Sequence, residues 1–201
     1  RRLPEVRLIA VLRQPAERAY SNFTYLRGKG REPLADFRHA LAQEPERKAA
    51  GWNPGFYYRE NGAYATNLLP YYALFPREQL HIVIFDDLVQ HPARCLAEIY
   101  GFIGVDSAQG PTRLERENIT RWPRSWMLQA WLDAPPRIVQ HLPGRMRRSL
   151  LRRLKQWNAG QVKPPPLDAA LRRELTESYR DEILRLQDLI GRNLNHWLKT
   201  P

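Results

Sequence analysis

The pattern of apolar and polar positions predicts a short buried strand near the start of the chain, followed directly by an amphipathic helix. Residues 6–12 are mostly apolar, which is typical of a parallel strand that is covered on both faces. From Pro15 to Arg27, apolar residues recur every three or four positions, and proline suits the first turn of a helix because no N–H is needed there. The pattern therefore predicts a strand-to-helix turn at Arg13 and Gln14. The side chains expected to face the sheet are Ala16, Ala19, Tyr20 and Phe23.

The rest of the chain is mostly helical in pattern, with one further strand at residues 81–85. A loop is expected at 44–55, because proline, tryptophan and asparagine cluster there, and a second loop at 106–122. Pro70 should kink or restart the helix that contains it. The predicted helices are 33–43, 60–75, the segment from Pro92 to Ile103, a short helix around Trp126–Leu132, 145–157, and a long helix through Leu171–Ile190. Residues 195–198 close the chain with Trp197.

These elements predict one α/β domain over residues 1–201. A sheet of two strands is not stable alone, and the chain opens on Arg1-Arg2-Leu3-Pro4 directly before a buried-type strand. We therefore expect the domain to be incomplete at its N-terminus, with further strands upstream.

Charge separates this chain from an ordinary globular domain. Its formal net charge is +11, and its basic residues are 27 arginines and five lysines. The arginine fork suits phosphate and sulfate, although a coding bias would give the same composition. The single cysteine, Cys95, excludes an intramolecular disulfide. The histidines lack metal-ligand spacing, so we predict no metal. No apolar stretch is long enough to span a bilayer.

The strand-to-helix turn carries the candidate chemistry. It reads R-x-P-x-x-R-x-x-S, with Arg13, Arg18 and Ser21 at the three polar positions. A guanidinium, a hydroxyl and the positive end of a helix favour an anion. The alternative is a structural arginine at an ordinary turn.

This motif resembles the 3′-phosphate-binding sequence of sulfotransferases that use 3′-phosphoadenosine-5′-phosphosulfate (PAPS). Residues 59–104 resemble the next part of the same family, in a fixed order of short signals. These signals are Gly62-Ala63-Tyr64, Phe75-Pro76, the strand at Leu80 to Phe85, Asp86-Asp87-Leu88, His91-Pro92 and Phe102-Ile103-Gly104.

The resemblance implies a P-loop NTPase-like three-layer sandwich with a central parallel sheet, of which this chain is a helix-rich C-terminal portion. It implies transfer of a sulfuryl group from PAPS to a hydroxyl or amine of a glycan, lipid or small metabolite, leaving adenosine 3′,5′-bisphosphate (PAP). The cofactor-binding residues would be Arg13, Ser21, Arg18 and Lys155. The family's phosphosulfate loop has no match in these residues, and no catalytic residue is assigned.

The basic helix 145–157 has three interpretations. Its charges form a solvated face, or Arg152, Arg153, Lys155 and Asn158 cover the nucleotide, or the helix docks on an anionic membrane or glycan. The acceptor cleft is expected near Trp52, Tyr57 and Tyr58, unless that segment is an ordinary surface loop.

Two further expectations concern the acidic pair and the class of protein. Asp86 and Asp87 are interpreted as a helix cap rather than an acid and base. The alternative function is a basic, non-catalytic module that binds PAP, nucleic acid or acidic polysaccharide, although no specific nucleic-acid motif is present. The composition favours a bacterial cytoplasmic protein, with a membrane-anchored form as the alternative.

Overall fold

A computed structural model describes residues 5–106, 122–135, 143–158 and 163–199. The strands are β1 (Leu8–Leu12) and β2 (Leu80–Ile84). The α-helices are α1 (Pro15–Gly28), α2 (Phe37–Ala42), α3 (Glu44–Ala49), α4 (Tyr64–Leu74), α5 (Phe85–Gln90), α6 (Pro92–Ile103), α7 (Trp126–Asp133), α8 (Gly144–Asn158), α9 (Ala169–Ser178), α10 (Arg180–Ile190) and α11 (Asn195–Leu198). Short 3₁₀ turns occupy Pro54–Phe56, Glu60–Gly62 and Arg77–Gln79.

The chain forms two compact units. The first contains Arg1–Ala19, Arg59–Glu117 and Asp168–Pro201, and the second contains Tyr20–Tyr58 and Asn118–Leu167. Helix α1 begins in the first unit and ends in the second.

The first unit contains the parallel sheet. Strands β1 and β2 pair in register from Leu8 with Leu80 to Leu12 with Ile84, which confirms the predicted α/β class. The carboxyl ends of both strands therefore lie side by side, and Arg13 follows the first of them directly.

The expectation that β1 is covered on both faces is wrong for the described residues. Leu8, Ala10 and Leu12 face the core, whereas Ile9 and Val11 are 41% and 51% exposed. Successive side chains of a strand point to opposite faces, and the helices of this core lie against one of them.

The core of the first unit is formed by the sheet together with helices α4, α10 and α11. Helices α4 and α10 pack against each other, and Trp197 of α11 is almost completely buried. The buried residues of this core are Leu12, Tyr64, Ala65, Leu68, Leu80, Ile84, Tyr179, Ile183, Leu186, Leu194 and Trp197.

The second unit is organised around a buried ion pair and an aromatic cluster. The Arg47 guanidinium donates to both carboxylate oxygens of Glu32, at 2.7 and 2.8 Å, and the Tyr58 hydroxyl donates to Oε2 at 2.6 Å. Phe23, Phe37 and Tyr58 pack as rings with centroids 5.1 to 6.1 Å apart.

Several predicted helix boundaries are wrong, and each difference has a local cause. The second helix begins at Phe37 rather than residue 33, because the Asp36 carboxylate accepts from the His39 N–H and caps it there. Residues 44–49 form α3 within the predicted loop, since Pro45 occupies the first turn, where proline is tolerated. Helix α4 continues across Pro70.

The long C-terminal helix is two helices, α9 and α10, separated by Tyr179. The Tyr179 hydroxyl donates to the Arg59 carbonyl at 2.9 Å. The ring of Tyr179 also lies so close to Gly62 that a Cβ there would stand 2.8 Å from Cζ. The position of this side chain is therefore fixed by contacts distant in sequence.

Helix α8 has fewer buried apolar side chains than its pattern predicts. The helical spacing of Met146 and Leu150 with Leu151 and Leu154 predicts that they face inward, but Met146 and Leu150 are 61% and 43% exposed. The seam that packs in the second unit instead includes the fully buried Asn158. Most of the loop expected at 106–122 lies outside the described residues.

Candidate functional site

Arg13 lies at the carboxyl end of β1, at the start of the turn into α1. Its side chain is 34% exposed, and its Nη2 lies 3.3 Å from Glu17 Oε2. The guanidinium carbon is 5.2 Å from the centroid of the Phe85 ring, which lies at the end of β2. The Arg13 head group therefore contacts the Glu17 carboxylate of α1 and the face of the Phe85 ring, directly after β2.

Tyr64 fixes the backbone of the same turn. Its hydroxyl donates to the Arg13 carbonyl oxygen at 2.8 Å. Burial raises the pKa of Tyr64 to about 12, against the opposing charges of Arg18 and Arg13. The phenol is therefore protonated at neutral pH and can act as a hydrogen-bond donor. Gly62, two residues earlier, leaves room for the Tyr179 ring.

The Gln14 side chain caps the N-terminus of α1. Its side-chain oxygen accepts from the Glu17 N–H at 2.8 Å, and its amide nitrogen donates to Thr176 Oγ1 at 2.9 Å. The sequence pattern suggests that the backbone N–H groups of this turn are available to an anion. In the structure the Glu17 N–H is already used by the chain's own side chain, so Arg13 is the more accessible donor.

A cavity of about 350 Å³ opens beside Arg13 in the first unit. In the wall of this cavity, Glu17 contacts both Arg13 and Arg172. Arg172 Nε donates to Glu17 Oε1 at 2.7 Å. The buried Nη1 of Arg172 has no hydrogen-bond partner among the described residues. The cavity therefore presents guanidinium groups on both sides of one carboxylate. Its lining residues are Arg13, Gln14, Glu17, Phe85, Asp86, Val89, Gln90, Arg172, His196 and Trp197.

Asp86 and Asp87 have structural partners, and the interpretation of these carboxylates as helix caps is wrong. Asp86 Oδ2 accepts from the Trp197 indole N–H at 2.8 Å and lies 3.3 Å from His196 Nε2. Asp87 pairs with Arg192. Neither α5 nor α6 has a side-chain cap, because these carboxylates bind the C-terminal residues instead.

The other predicted cofactor residues lie on two helices. Arg18 is partly buried in α1, and its charge acts on the Tyr64 phenol. Ser21 is half-buried in the second turn of the same helix, and Lys155 is exposed on α8. The roles of Arg18, Ser21 and Lys155 stay predictions.

Asn158 and Tyr58, two residues predicted to contact a ligand, are buried in the interior of the second unit. Asn158 donates to the Ser125 carbonyl at 3.1 Å and accepts from the Ser125 N–H at 2.9 Å. Tyr58 is completely buried and bonded to Glu32. Trp52 is 38% exposed and Tyr57 is partly buried, so Trp52 is the most accessible of the three aromatic residues expected at the acceptor cleft.

The residue patterns did not predict Gln14, Glu17 and Arg172 as parts of this turn. Glu17 is four residues after Arg13, the spacing at which helical charges pair, and this signal could have identified it. Arg172 is 155 residues away from Glu17, and no local pattern indicates that pair.

In the described part of the chain, no helix combines the length and apolar character needed to cross a bilayer. The same residues contain no group of three or more histidine, cysteine, aspartate or glutamate side chains that could hold a metal ion.

Comparison with known families decides the classification. The sulfotransferase domain family matches residues 2–158. The chain belongs to this family. The chain is 28% identical over 210 positions to the bifunctional heparan sulfate N-deacetylase/N-sulfotransferase 2 of Bos taurus, and 27% identical over 203 positions to the Homo sapiens protein of the same name.

The structure of this sulfotransferase-family chain resembles a solved bacterial relative. It matches the crystal structure of a sulfotransferase from Alicyclobacillus acidocaldarius with a TM-score of 0.65 and 26% identity, over 96% of this chain and 57% of that chain. The likeness confirms the predicted helix-rich, P-loop-like α/β class with a small parallel sheet. The matched region spans 98% of this chain but only 21% of the length of each of the two curated relatives.

Proposed function

We propose that this chain is part of an enzyme that transfers a sulfuryl group from PAPS to a hydroxyl or amine of an acceptor. The acceptor oxygen or nitrogen forms a bond to sulfur as the bond from sulfur to the 5′-phosphate oxygen breaks. PAP leaves with the electron pair of that bond, and the acceptor proton passes to a base. No residue of this chain is assigned as that base.

The observation that carries the proposal is the fixed position of Arg13 within the segment that the family matches. The turn is held by the Tyr64 hydroxyl, and the guanidinium lies between Glu17 and Phe85. A charged donor held in this way binds phosphate with little loss of conformational freedom. We assign it, with Ser21 in the second turn of α1, to the 3′-phosphate of the nucleotide.

Arg18 and Lys155 are proposed as supporting cofactor contacts. Arg18 adds positive charge to the first two turns of α1, where an anion is also favoured by the helix dipole. Lys155 is exposed on α8, and we propose it as a further cationic contact for the nucleotide.

Kinetics with PAPS and two acceptors test the proposal, using an amino-glycan for amine transfer and its N-acetylated, hydroxyl-only form. Because the 3′-phosphate is remote from the reacting sulfur, Arg13→Ala and Ser21→Ala should raise KM for PAPS and leave kcat nearly unchanged. Hydrogen bonds to charged groups contribute about 1.5–3 kcal/mol, so the increase in KM should be about tenfold or more.

Arg173→Ala and Ser149→Ala are the matched controls, because both side chains are exposed on other helices. They should leave KM unchanged. Equal effects of Arg13→Ala and Arg173→Ala, or a fall in kcat alone, would contradict the assigned phosphate contact.

A further inference from the structure

Helix α8 lies in a segment with an extreme charge distribution. Residues 134–167 contain eight arginines and lysines and no aspartate or glutamate. Six of the eight basic residues lie within α8 itself. The segment cannot neutralise its own charge, so its surface is complementary to an anionic partner.

The same helix exposes large apolar side chains. Met146, Leu150 and Trp157 are 61%, 43% and 56% exposed. At about 100° per residue these positions fall within about 40° of one another, and at about 1.5 Å per residue they extend over about 17 Å. They therefore form one apolar strip along the helix, defined here as Met146, Leu150 and Trp157.

The apolar strip is separate from the seam that packs in the second unit. That seam contains Asn158, which is fully buried against Ser125 of the turn before α7. Arg153 lies at the edge of the strip, about 20–60° from its members, and Lys155 lies on the opposite side of the helix. The proposed nucleotide contact of Lys155 and the strip thus use different faces.

The surroundings of Trp157 suit an interface between an apolar phase and water. The Arg124 guanidinium carbon lies 5.5 Å from its ring centroid. An indole beside a guanidinium combines a large apolar body with a polar, charged edge, which is the arrangement favoured where an apolar phase meets water. Met127 of α7, which packs against α8, is a further apolar side chain in this unit, at 86% exposed.

We propose that α8 docks this chain on an anionic lipid surface. The apolar strip enters the boundary between headgroups and acyl chains, Arg153 at its edge binds lipid phosphate, and the other basic residues of α8 add electrostatic attraction to the anionic surface. Nucleic acid or an acidic polysaccharide would be attracted by the positive charge of α8. Neither would bury the three aligned, exposed apolar side chains of the strip. A lipid surface uses both features at once.

Vesicle flotation of the whole chain tests the proposal. The chain should bind vesicles of phosphatidylcholine mixed with phosphatidylglycerol, bind much less to phosphatidylcholine alone, and lose affinity as salt is raised. The double variant Met146→Ser/Leu150→Ser keeps every charge and should weaken binding about tenfold or more. Arg153→Gln, at the edge of the strip, should weaken it about fivefold.

The matched control is Leu69→Ser/Leu74→Ser on α4, since these side chains are also exposed, at 53% and 63%. It should bind like the unmodified chain, and circular dichroism should show that each variant keeps its fold. Full vesicle affinity of Met146→Ser/Leu150→Ser, with competition by single-stranded DNA or dextran sulfate, would overturn the proposal and assign the helix to a polyanion. Equal binding to neutral vesicles, or no binding at low salt, would also overturn it.

Discussion

At the scale of single residues, Tyr64 ties the Arg13 turn to the core of the first unit. Tyr64→Phe removes the hydroxyl that donates to the Arg13 carbonyl and leaves that acceptor without its partner. We expect the free energy of unfolding to fall by about 1–3 kcal/mol and the affinity for PAP to fall as the turn loosens. Urea unfolding and calorimetric titration measure the two effects. Tyr71→Phe is the control on the same helix, because Tyr71 is 49% exposed; equal behaviour of the two variants would contradict the positioning role.

Gly62 is explained by a close approach rather than by backbone conformation. A Cβ at this position would lie 2.7 to 2.9 Å from the hydroxyl and ring atoms of Tyr179. Gly62→Ala should therefore lower the free energy of unfolding by about 1–3 kcal/mol, the usual effect of overpacking. Gly101→Ala, in α6 with open space around the added methyl, should be neutral or stabilising. Thermal unfolding compares them, and a Gly62 variant as stable as the Gly101 variant would refute the packing argument.

Some residues of the site could be predicted from the sequence, and others could not. Arg13 and Tyr64 belong to short motifs that could be recognised by their spacing. The partners that hold the turn could not, since Gln14 meets Thr176 across 162 residues of sequence. Such pairs depend on how α9 packs, and local periodicity contains no information about that.

At the scale of elements, the ion pair between Glu32 and Arg47 explains why α3 forms where a loop was expected. Arg47 is 4% exposed and spans both oxygens of Glu32, and its guanidinium also lies 4.9 Å from the Trp52 ring. A helical turn at 44–49 is what brings this arginine to the carboxylate. The sequence pattern showed prolines and charges in this stretch, but burial of those charges was not visible in it.

The same pair predicts a pH dependence. Burial opposes ionisation of Glu32, but hydrogen bonds from Arg47, Tyr58 and the Leu34 N–H outweigh it, and the pKa of Glu32 lies below its usual value. A lowered pKa in the folded state stabilises the protein at pH values above the unfolded pKa of about 4.3, and the stabilisation is lost as pH falls below it. Thermal stability should therefore decrease as pH falls from about 5 towards 2.

Glu32→Gln removes that titration and leaves the Arg47 charge buried without its counterion. We expect a loss of about 3–5 kcal/mol at neutral pH and a weaker dependence of the midpoint on acid. Glu46→Gln in α3, the helix that carries Arg47, is the control because Glu46 is exposed. Calorimetry at neutral and acidic pH separates the two variants. If Glu32→Gln keeps the acid sensitivity of the unmodified chain, the pair is not its source.

At the scale of the whole molecule, the α/β class and the strand-to-helix turn could be predicted because adjacent residues determine them. The division into two compact units could not, since each unit is built from segments distant in sequence. The charge of +11 indicated an anionic ligand without locating it. Among the described residues, positive charge is concentrated both at the Arg13 turn and along helix α8.

The measurement that tests the central claim most directly is thermal unfolding of this chain with PAP and, separately, with 5′-AMP. The two ligands differ by the 3′-phosphate that Arg13 is proposed to bind. At about 100 times Kd a ligand stabilises the folded state by about 2.7 kcal/mol, which at this chain length raises Tm by about 5–10 °C. We predict this rise with PAP alone, its loss in Arg13→Ala and its persistence in Arg173→Ala. Equal shifts with both nucleotides, or a PAP shift that survives in Arg13→Ala, would contradict the account.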